Sequence, residues 1–139
     1  MVERTLEEWQ RLTDGRLPGL FGIEVVEIEH GRVLLRLDVR PDFLAPNGYI
    51  HGGTVVTLAD TCCGFGSLAS LPEGVTGFTT VELKTNFLRT AGAGSALRCE
   101  GTLVHDGRTT QVWDATVTRE DDGKTLALFR ATQYMLQRE

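Results

Sequence analysis

The sequence predicts an α+β domain in which an antiparallel sheet wraps around one long central helix, with a short helix near the N-terminus. Two observations support this prediction. Residues 52–71 carry apolar side chains on every side of a helical wheel, so a helix there should be surrounded by protein. Most of the remaining chain alternates apolar and polar residues with the period of two that is typical of strands.

The chain length fits one domain, because 139 residues can bury one hydrophobic core but not two. We therefore predict a single domain over residues 1–139, with residues 1–19 as a helical extension. Within it, residues 5–12 place Leu6, Trp9 and Leu12 at helical spacing, and Thr5 can cap this helix together with Glu8.

The predicted sheet begins with a hairpin whose two strands, residues 25–28 and 33–39, flank a His30-Gly31 turn. Residues 41–50 hold Pro and Gly breakers and predict a loop. After the long helix come four more strands. They are residues 79–87, 97–103, 111–117 and 126–134, with Asp-Gly turns at 106–107 and 122–123 between the last three.

Composition excludes several classes of function. The net charge is −5 and no segment gathers basic residues, so nucleic acid is not an expected partner. The three cysteines, Cys62, Cys63 and Cys99, lack the spacing of metal ligands and predict reduced, buried thiols. Since the first residues also lack the pattern of a signal peptide, we expect a cytoplasmic protein.

Residues 52–71 are long enough to cross a bilayer, and Asp60 is their only charged residue. Half of them, however, are Gly, Thr, Ser or Asp, and no basic cluster flanks the segment to set an orientation. We therefore expect a buried helix and no contact with a membrane.

Asp60 is the first candidate for chemistry, because it is a carboxylate in the middle of this apolar helix. An unpaired buried charge is costly, so Asp60 must meet solvent, a partner or a substrate. A structural role at a helix contact is the alternative.

His51-Gly52-Gly53 opens the helix with glycines that let a ligand approach backbone N–H groups. These N–H groups, Gly52 foremost, could form an oxyanion hole, although glycines before a helix can simply make the turn. An oxyanion hole beside a lone carboxylate indicates acyl transfer to water. His51 is interpreted as a hydrogen-bonding brace of the loop and not as a base.

Other groups are weaker candidates. Cys62 and Cys63 have no basic neighbour that would activate a thiol, so cysteine catalysis is not expected. Arg89 and Arg108 lie beside predicted turns and could bind phosphates, or could be ordinary exposed charges. The Gly-rich stretch at 91–95 lacks the Lys of a P-loop and predicts only a strand connection.

Residues 51–61, HGGTVVTLADT, resemble the HGG…LAD signature of hotdog-fold acyl-CoA thioesterases of the phenylacetate-pathway group, relatives of the 4-hydroxybenzoyl-CoA thioesterases. The resemblance continues through residues 80–89 and the turn at 106–108, and covers about residues 20–136. It implies a helix wrapped by an antiparallel sheet, homodimers whose sheets join, homotetramers, and neither metal nor cofactor.

The resemblance also implies roles for single residues. Asp60 matches the catalytic carboxylate, as nucleophile or general base, Gly52 the backbone donor to the thioester carbonyl, and Thr80 a polar residue near the attacking water. The substrate-binding set comprises Asn47, His51, Gly53, Thr61, Arg89 and Arg108. The polar residue that relatives carry six positions before the motif's His is here Ala45, and Asn47 could replace it.

Three functions fit such a fold. The expected one is hydrolysis of an aryl- or arylacetyl-CoA to the free acid and CoA. The second is a non-catalytic acyl-CoA sensor, which would need no carboxylate facing the thioester. The third is a hydratase, whose Asp and His pattern on the central helix is not met, because no His follows Asp60 until His105.

Overall fold

Six antiparallel strands form one sheet beside a long helix, in a computed structural model that describes residues 3–137. The helices are α1 (Leu6–Arg11), α2 (Leu17–Phe21) and α3 (Gly52–Ala69), with a 3-10 turn at Pro41–Phe43. The strands are β1 (Glu24–Glu29), β2 (Arg32–Asp38), β3 (Val75–Phe87), β4 (Ala96–Asp106), β5 (Thr110–Arg119) and β6 (Thr125–Gln137). Their order is β1-β2-β4-β5-β6-β3, and the predicted α+β class is confirmed.

Strands β4, β5 and β6 bury alternate residues against α3, as their sequence pattern predicts. In β5, Gln111, Trp113, Ala115 and Val117 are all buried while their neighbours are only partly so. Packing between β5 and α3 is close at Gly66, where an added Cβ would lie 2.5 Å from the Trp113 ring. Only glycine fits there, so the sheet and the helix fix each other's position.

Helix α3 begins at the predicted residue and is anchored by a core of small and medium side chains. His51 is its N-cap, and Leu58, Ala59, Cys62 and Cys63 have no solvent exposure. No helix among residues 3–137 combines the length and the hydrophobicity needed to cross a bilayer.

The prediction that α3 is surrounded by protein is wrong for a single chain. One side of the helix, the open face of α3, is only partly covered. The open face consists of Gly53, Val56, Thr57, Asp60, Thr61, Gly64 and Leu68, at spacings of three and four residues. The physical reason is that the sheet ends beside the open face, because β3 is an edge strand. Phe87 and Phe78 of β3 lie against Gly52 and Gly64 of the helix.

The N-terminal extension packs onto the core through aromatic contacts. The predicted capping box of α1 is present, with Thr5 and Glu8 exchanging hydrogen bonds, and Trp9 lies 5.9 Å from the Phe65 ring centroid. Helix α2 was not predicted, although a Pro in its first turn and Gly22 in a left-handed conformation after its end are ordinary boundary signals. Its Phe21 stacks on Phe43 at 4.7 Å.

Candidate active site

Asp60 lies on the open face of α3, between the buried Ala59 and the partly buried Thr61. Its Oδ1 is shielded from solvent and has no hydrogen-bond partner within residues 3–137. Burial raises the pKa of the carboxyl, and no cation within residues 3–137 lowers that pKa again. A carboxylate that is desolvated and unpaired is poised to take a proton or attack an electrophile.

The start of α3 presents backbone donors at the positive end of the helix dipole. The Gly53 N–H is already used, because it donates to His51 Nδ1 at 2.7 Å. The Gly52 N–H is the first of the helix and has no intrahelical acceptor. Gly52 also lies where an added Cβ would be 3.1 Å from Cζ of Phe87, so a side chain there would crowd the Phe87 ring.

One chain does not bring Gly52 and Asp60 together. Eight residues separate them along α3, which corresponds to about 12 Å at roughly 1.5 Å per residue. A reacting carbonyl needs its nucleophile and its oxyanion donor each within about 3 to 3.5 Å. The two predicted groups therefore cannot serve one thioester from the same chain.

Thr80 lies on the side of β3 that faces α3. It pairs in register with Gln133 of β6, which in turn pairs with Gln111 of β5. The Gln111 amide donates a hydrogen bond to the carbonyl of Ser70 at the end of α3. These three cross-strand neighbours therefore lie on the face of the sheet that packs against α3. Because β3 runs along the helix from Gly64 to Gly52, Thr80 belongs to the stretch that passes Asp60.

The other predicted binding residues are scattered around the chain. Asn47 Oδ1 accepts the Tyr49 N–H at 3.1 Å, which holds the exposed loop before α3. Arg89 donates to the carbonyl of Thr125, where β6 begins. Arg108 is exposed in the turn before β5, near the other end of β6, so the two arginines of one chain do not converge.

The cysteines do not take part in this chemistry. Cys62, Cys63 and Cys99 are free and buried, as predicted. Burial raises the pKa of the Cys62 and Cys63 thiols well above the ordinary value, so neither forms a thiolate near neutral pH.

Two buried polar residues near this region were missed by the sequence reasoning. Gln133 and Ser67 are fully buried, and their side-chain polar atoms have no hydrogen-bond partner within residues 3–137. The available signal for Gln133 was a polar residue at an inward position of the otherwise apolar last strand. Ser67 carried no such signal, since Ser is common in helices of mixed composition.

Comparisons with known proteins identify the family. The model of the thioesterase superfamily matches residues 47–126. The 1,4-dihydroxy-2-naphthoyl-CoA hydrolase of Listeria monocytogenes is 33% identical over 111 residues, which cover 80% of this chain and 88% of that protein. The acyl-coenzyme A thioesterase PaaI of Escherichia coli is 27% identical over 115 residues, 83% of this chain and 79% of that protein.

The fold agrees with these relatives. A thioesterase of Haemophilus influenzae superposes with a TM-score of 0.89 at 26% identity, over 98% of this chain and 93% of that chain. The resemblance at residues 51–61 and the expected hotdog fold are thereby confirmed. The chain belongs to the thioesterase superfamily and is an enzyme of the thioester hydrolase class.

Proposed function

We propose that this enzyme hydrolyses aryl- or arylacetyl-CoA thioesters to the free acid and CoA, with Asp60 as the catalytic carboxylate. The observation that carries the proposal is the unpaired, desolvated Asp60 on the open face of α3. The names of the relatives support a CoA thioester, and the Listeria relative is named for an aromatic acyl group.

In this mechanism Asp60 acts in one of two ways. As a nucleophile it attacks the thioester carbonyl, expels CoA thiolate and leaves a mixed anhydride that water then hydrolyses. As a general base it takes a proton from water as that water attacks, and the proton passes to the departing sulfur. In both cases a Gly52 N–H stabilises the oxyanion, and Thr80 orients the water.

The distance between Gly52 and Asp60 leads us to propose a homodimer whose sites are shared. Two α3 helices packed antiparallel through their open faces would bring Gly52 of one chain to Asp60 of the other. Gly53, Thr57 and Gly64 leave room for such close packing. The edge of β3 is unpaired within residues 3–137, and exposed Val81, Leu83 and Phe87 supply apolar area for the interface.

A pair of such dimers would form the expected homotetramer. The face of the sheet that points away from α3 carries exposed apolar side chains that a second dimer could cover. They are Val104, Leu128, Tyr134 and Leu136. The buried, free thiols are compatible with the cytoplasmic location that we propose.

The remaining predicted residues act on the substrate in this proposal. Asn47 and Thr61 orient the thioester. The hydrogen bond between His51 and Gly53 holds the shape of the turn that presents the Gly52 N–H. Arg89 and Arg108 bind CoA phosphates. Since these arginines lie near opposite ends of β6, one CoA would meet them from different subunits.

The test is release of free CoA, followed with a thiol reagent, from a panel of aryl-, arylacetyl- and medium-chain acyl-CoA substrates without added metal. We expect turnover to be fastest with an aromatic acyl group. Tight binding of acyl-CoA without turnover on any substrate would instead support an acyl-CoA sensor. Fastest turnover with medium-chain substrates would contradict the aromatic assignment.

A further inference from the structure

Gly52 has a free N–H in a turn whose other N–H groups are hydrogen-bonded. The His51 N–H donates to the Phe43 carbonyl at 3.0 Å, and the Gly53 N–H donates to His51 Nδ1 at 2.7 Å. The Thr54 N–H donates to the His51 carbonyl at 2.9 Å. Within residues 3–137 the Gly52 N–H has no acceptor. It is therefore the donor that this turn leaves available to a ligand.

The backbone of Gly52 does not itself require glycine. Gly52 is the first residue of the right-handed helix α3 and is not one of the glycines with positive φ, so alanine could adopt its conformation and would favour the helix. The available space is what requires glycine. An added Cβ would lie 3.1 Å from Cζ, 3.4 Å from Cε1 and 3.7 Å from Cε2 of Phe87. The outer edge of the Phe87 ring therefore lies directly against Gly52.

Phe87 is held in this place by the sheet. It is the last residue of β3 and pairs with Ala127 of β6. Directly after it, the Leu88 N–H donates to the Leu126 carbonyl at 2.7 Å, which fixes the end of the strand. Phe87 is nevertheless 54% exposed, so it buries less apolar area than a core residue does. Filling the core of one chain therefore does not explain why its ring lies against Gly52.

The rest of the turn is anchored at Phe43. The Phe43 carbonyl accepts the His51 N–H and also the Thr54 hydroxyl, the latter at 2.9 Å. Phe43 is itself buried and stacks on the Phe21 ring. The turn is thus fixed by hydrogen bonds on both sides of Gly52. At Gly52, whose N–H is free, the position of the turn depends instead on contact with the Phe87 ring.

We propose that Phe87 is a positioning residue of the oxyanion hole, whose ring holds the Gly52 N–H in place and keeps water from one side of it. This inference rests on the proposed function, in which the Gly52 N–H stabilises the oxyanion. A preorganised donor in a site shielded from water stabilises a developing charge more than a donor that must first reorganise. Phe87 acts through Gly52 and makes no contact with the reacting atoms in this role.

The first test is Phe87→Leu, which removes the three ring atoms nearest to Gly52 and keeps an apolar side chain. On the acyl-CoA that the wild type hydrolyses fastest, kcat should fall by about tenfold or more, while KM should change by less than about threefold. The control is Leu88→Ala, at a neighbour that is 51% exposed, which should leave both constants unchanged. Sedimentation measures the oligomeric state of each variant, because Phe87 also belongs to the proposed dimer interface.

Gly52→Ala tests the same contact from the side of the helix. Its methyl group would meet the ring at 3.1 Å and displace the turn, so we expect kcat to fall by about three- to tenfold. In the double variant with Phe87→Leu, the methyl group occupies the space that the outer ring atoms leave. We therefore expect kcat of the double variant to exceed that of either single variant. Losses that simply multiply would overturn the proposal, because the two residues would then not act through their contact.

A binding measurement gives a readout that does not need turnover. Calorimetry compares the phenacyl thioether of CoA, which has a carbonyl group, with the phenethyl thioether, which has none. The wild type should bind the phenacyl compound about two- to tenfold more tightly, the worth of one hydrogen bond. This preference should disappear in Phe87→Leu and return in the double variant.

The two measurements separate this inference from the proposed function. If the preference for the carbonyl depends on Phe87 in this way while no acyl-CoA is hydrolysed, the proposed function fails and the role of Phe87 stands. If Phe87→Leu keeps the preference of the wild type and a kcat within about twofold of it, Phe87 does not position the Gly52 N–H.

Discussion

Asp60 joins two properties that a stable protein would normally avoid in one residue. Its carboxyl is partly buried on an apolar helix, and its Oδ1 has no hydrogen-bond partner within residues 3–137. The first property could be predicted from the sequence, because a lone acidic residue interrupts an apolar run. The second could not, because whether a cation reaches Asp60 depends on side chains brought in by distant strands.

Replacing Asp60 with Asn tests its chemical role. Asn is nearly isosteric but is neither a base nor a nucleophile, so we expect the fold and acyl-CoA binding to persist while kcat falls by about 10²- to 10⁴-fold. Steady-state release of CoA, with calorimetric binding of a thioether analogue, separates the two effects. Turnover within a few-fold of the wild type would remove Asp60 from the mechanism.

The same substitution predicts a pH dependence of stability. Burial raises the pKa of Asp60 in the folded state, so the folded chain holds this proton more tightly than the unfolded chain does. The wild type gains stability from this proton below the ordinary Asp pKa of about 3.9, and loses it as the pH rises through the folded-state pKa. The amide that replaces the carboxyl in Asp60→Asn does not titrate.

We therefore expect Asp60→Asn to gain stability relative to the wild type as the pH rises through this window, with a constant difference above it. Urea unfolding at a series of pH values from about 4 to 8 gives the two free energies of unfolding. A difference that does not change with pH would mean that the carboxyl is not desolvated in the folded protein.

At the scale of elements, the strands and turns follow from the sequence more fully than the helices do. The four long strands and both Asp-Gly turns were predicted because alternation and turn residues are local signals. Helix α2 was missed because its five residues are too few for a periodic pattern. The helical wheel of α3 led to the wrong prediction that a single chain surrounds this helix. A helical wheel shows where the apolar residues lie, but it cannot show where the sheet ends.

Close packing of α3 on the sheet gives a prediction at Gly66. An added methyl group would lie 2.5 Å from two atoms of the outer ring of Trp113, so Gly66→Ala forces the helix and β5 apart. Overpacking costs about 1 to 3 kcal/mol, and the better helix propensity of Ala returns about 1 kcal/mol. We expect a net loss of up to about 2 kcal/mol in the free energy of unfolding, measured by urea denaturation.

Trp113→Phe provides the matched second change, because it removes the outer ring atoms that the new methyl group meets. In the double variant the two losses should be less than additive by about 0.5 kcal/mol or more. Additive losses would show that the contact between Gly66 and Trp113 does not limit the packing of α3.

At the scale of the whole molecule, a single chain supplies all the predicted catalytic groups but not their juxtaposition. The sequence could indicate this, since eight residues of helix separate Gly52 from Asp60. The structure adds an open face on α3 and an unpaired β3 edge within residues 3–137. Whether a second chain covers these two surfaces cannot be predicted from a local sequence pattern, because it depends on the fit of two surfaces.

The shared-site dimer predicts that two inactive variants restore each other's activity. One variant is Asp60→Asn, and the other is Gly52→Pro, which removes the N–H at a helix position where Pro is tolerated. Gly52→Ala is its control, because Ala brings a similar Cβ against Phe87 but keeps the N–H. The control should therefore retain more activity than Gly52→Pro.

After the two inactive variants are dissociated, mixed in equal amounts and reassociated, half of the dimers should be mixed. Each mixed dimer holds one site with both defects and one site with neither, so about a quarter of wild-type activity should return. The fraction of mixed dimers is measured with an affinity tag on one variant. If mixed dimers form and stay inactive, then Asp60 and Gly52 do not serve one thioester from two chains. The separation of about 12 Å between them within a chain would then exclude Gly52 as the oxyanion donor to a thioester at Asp60.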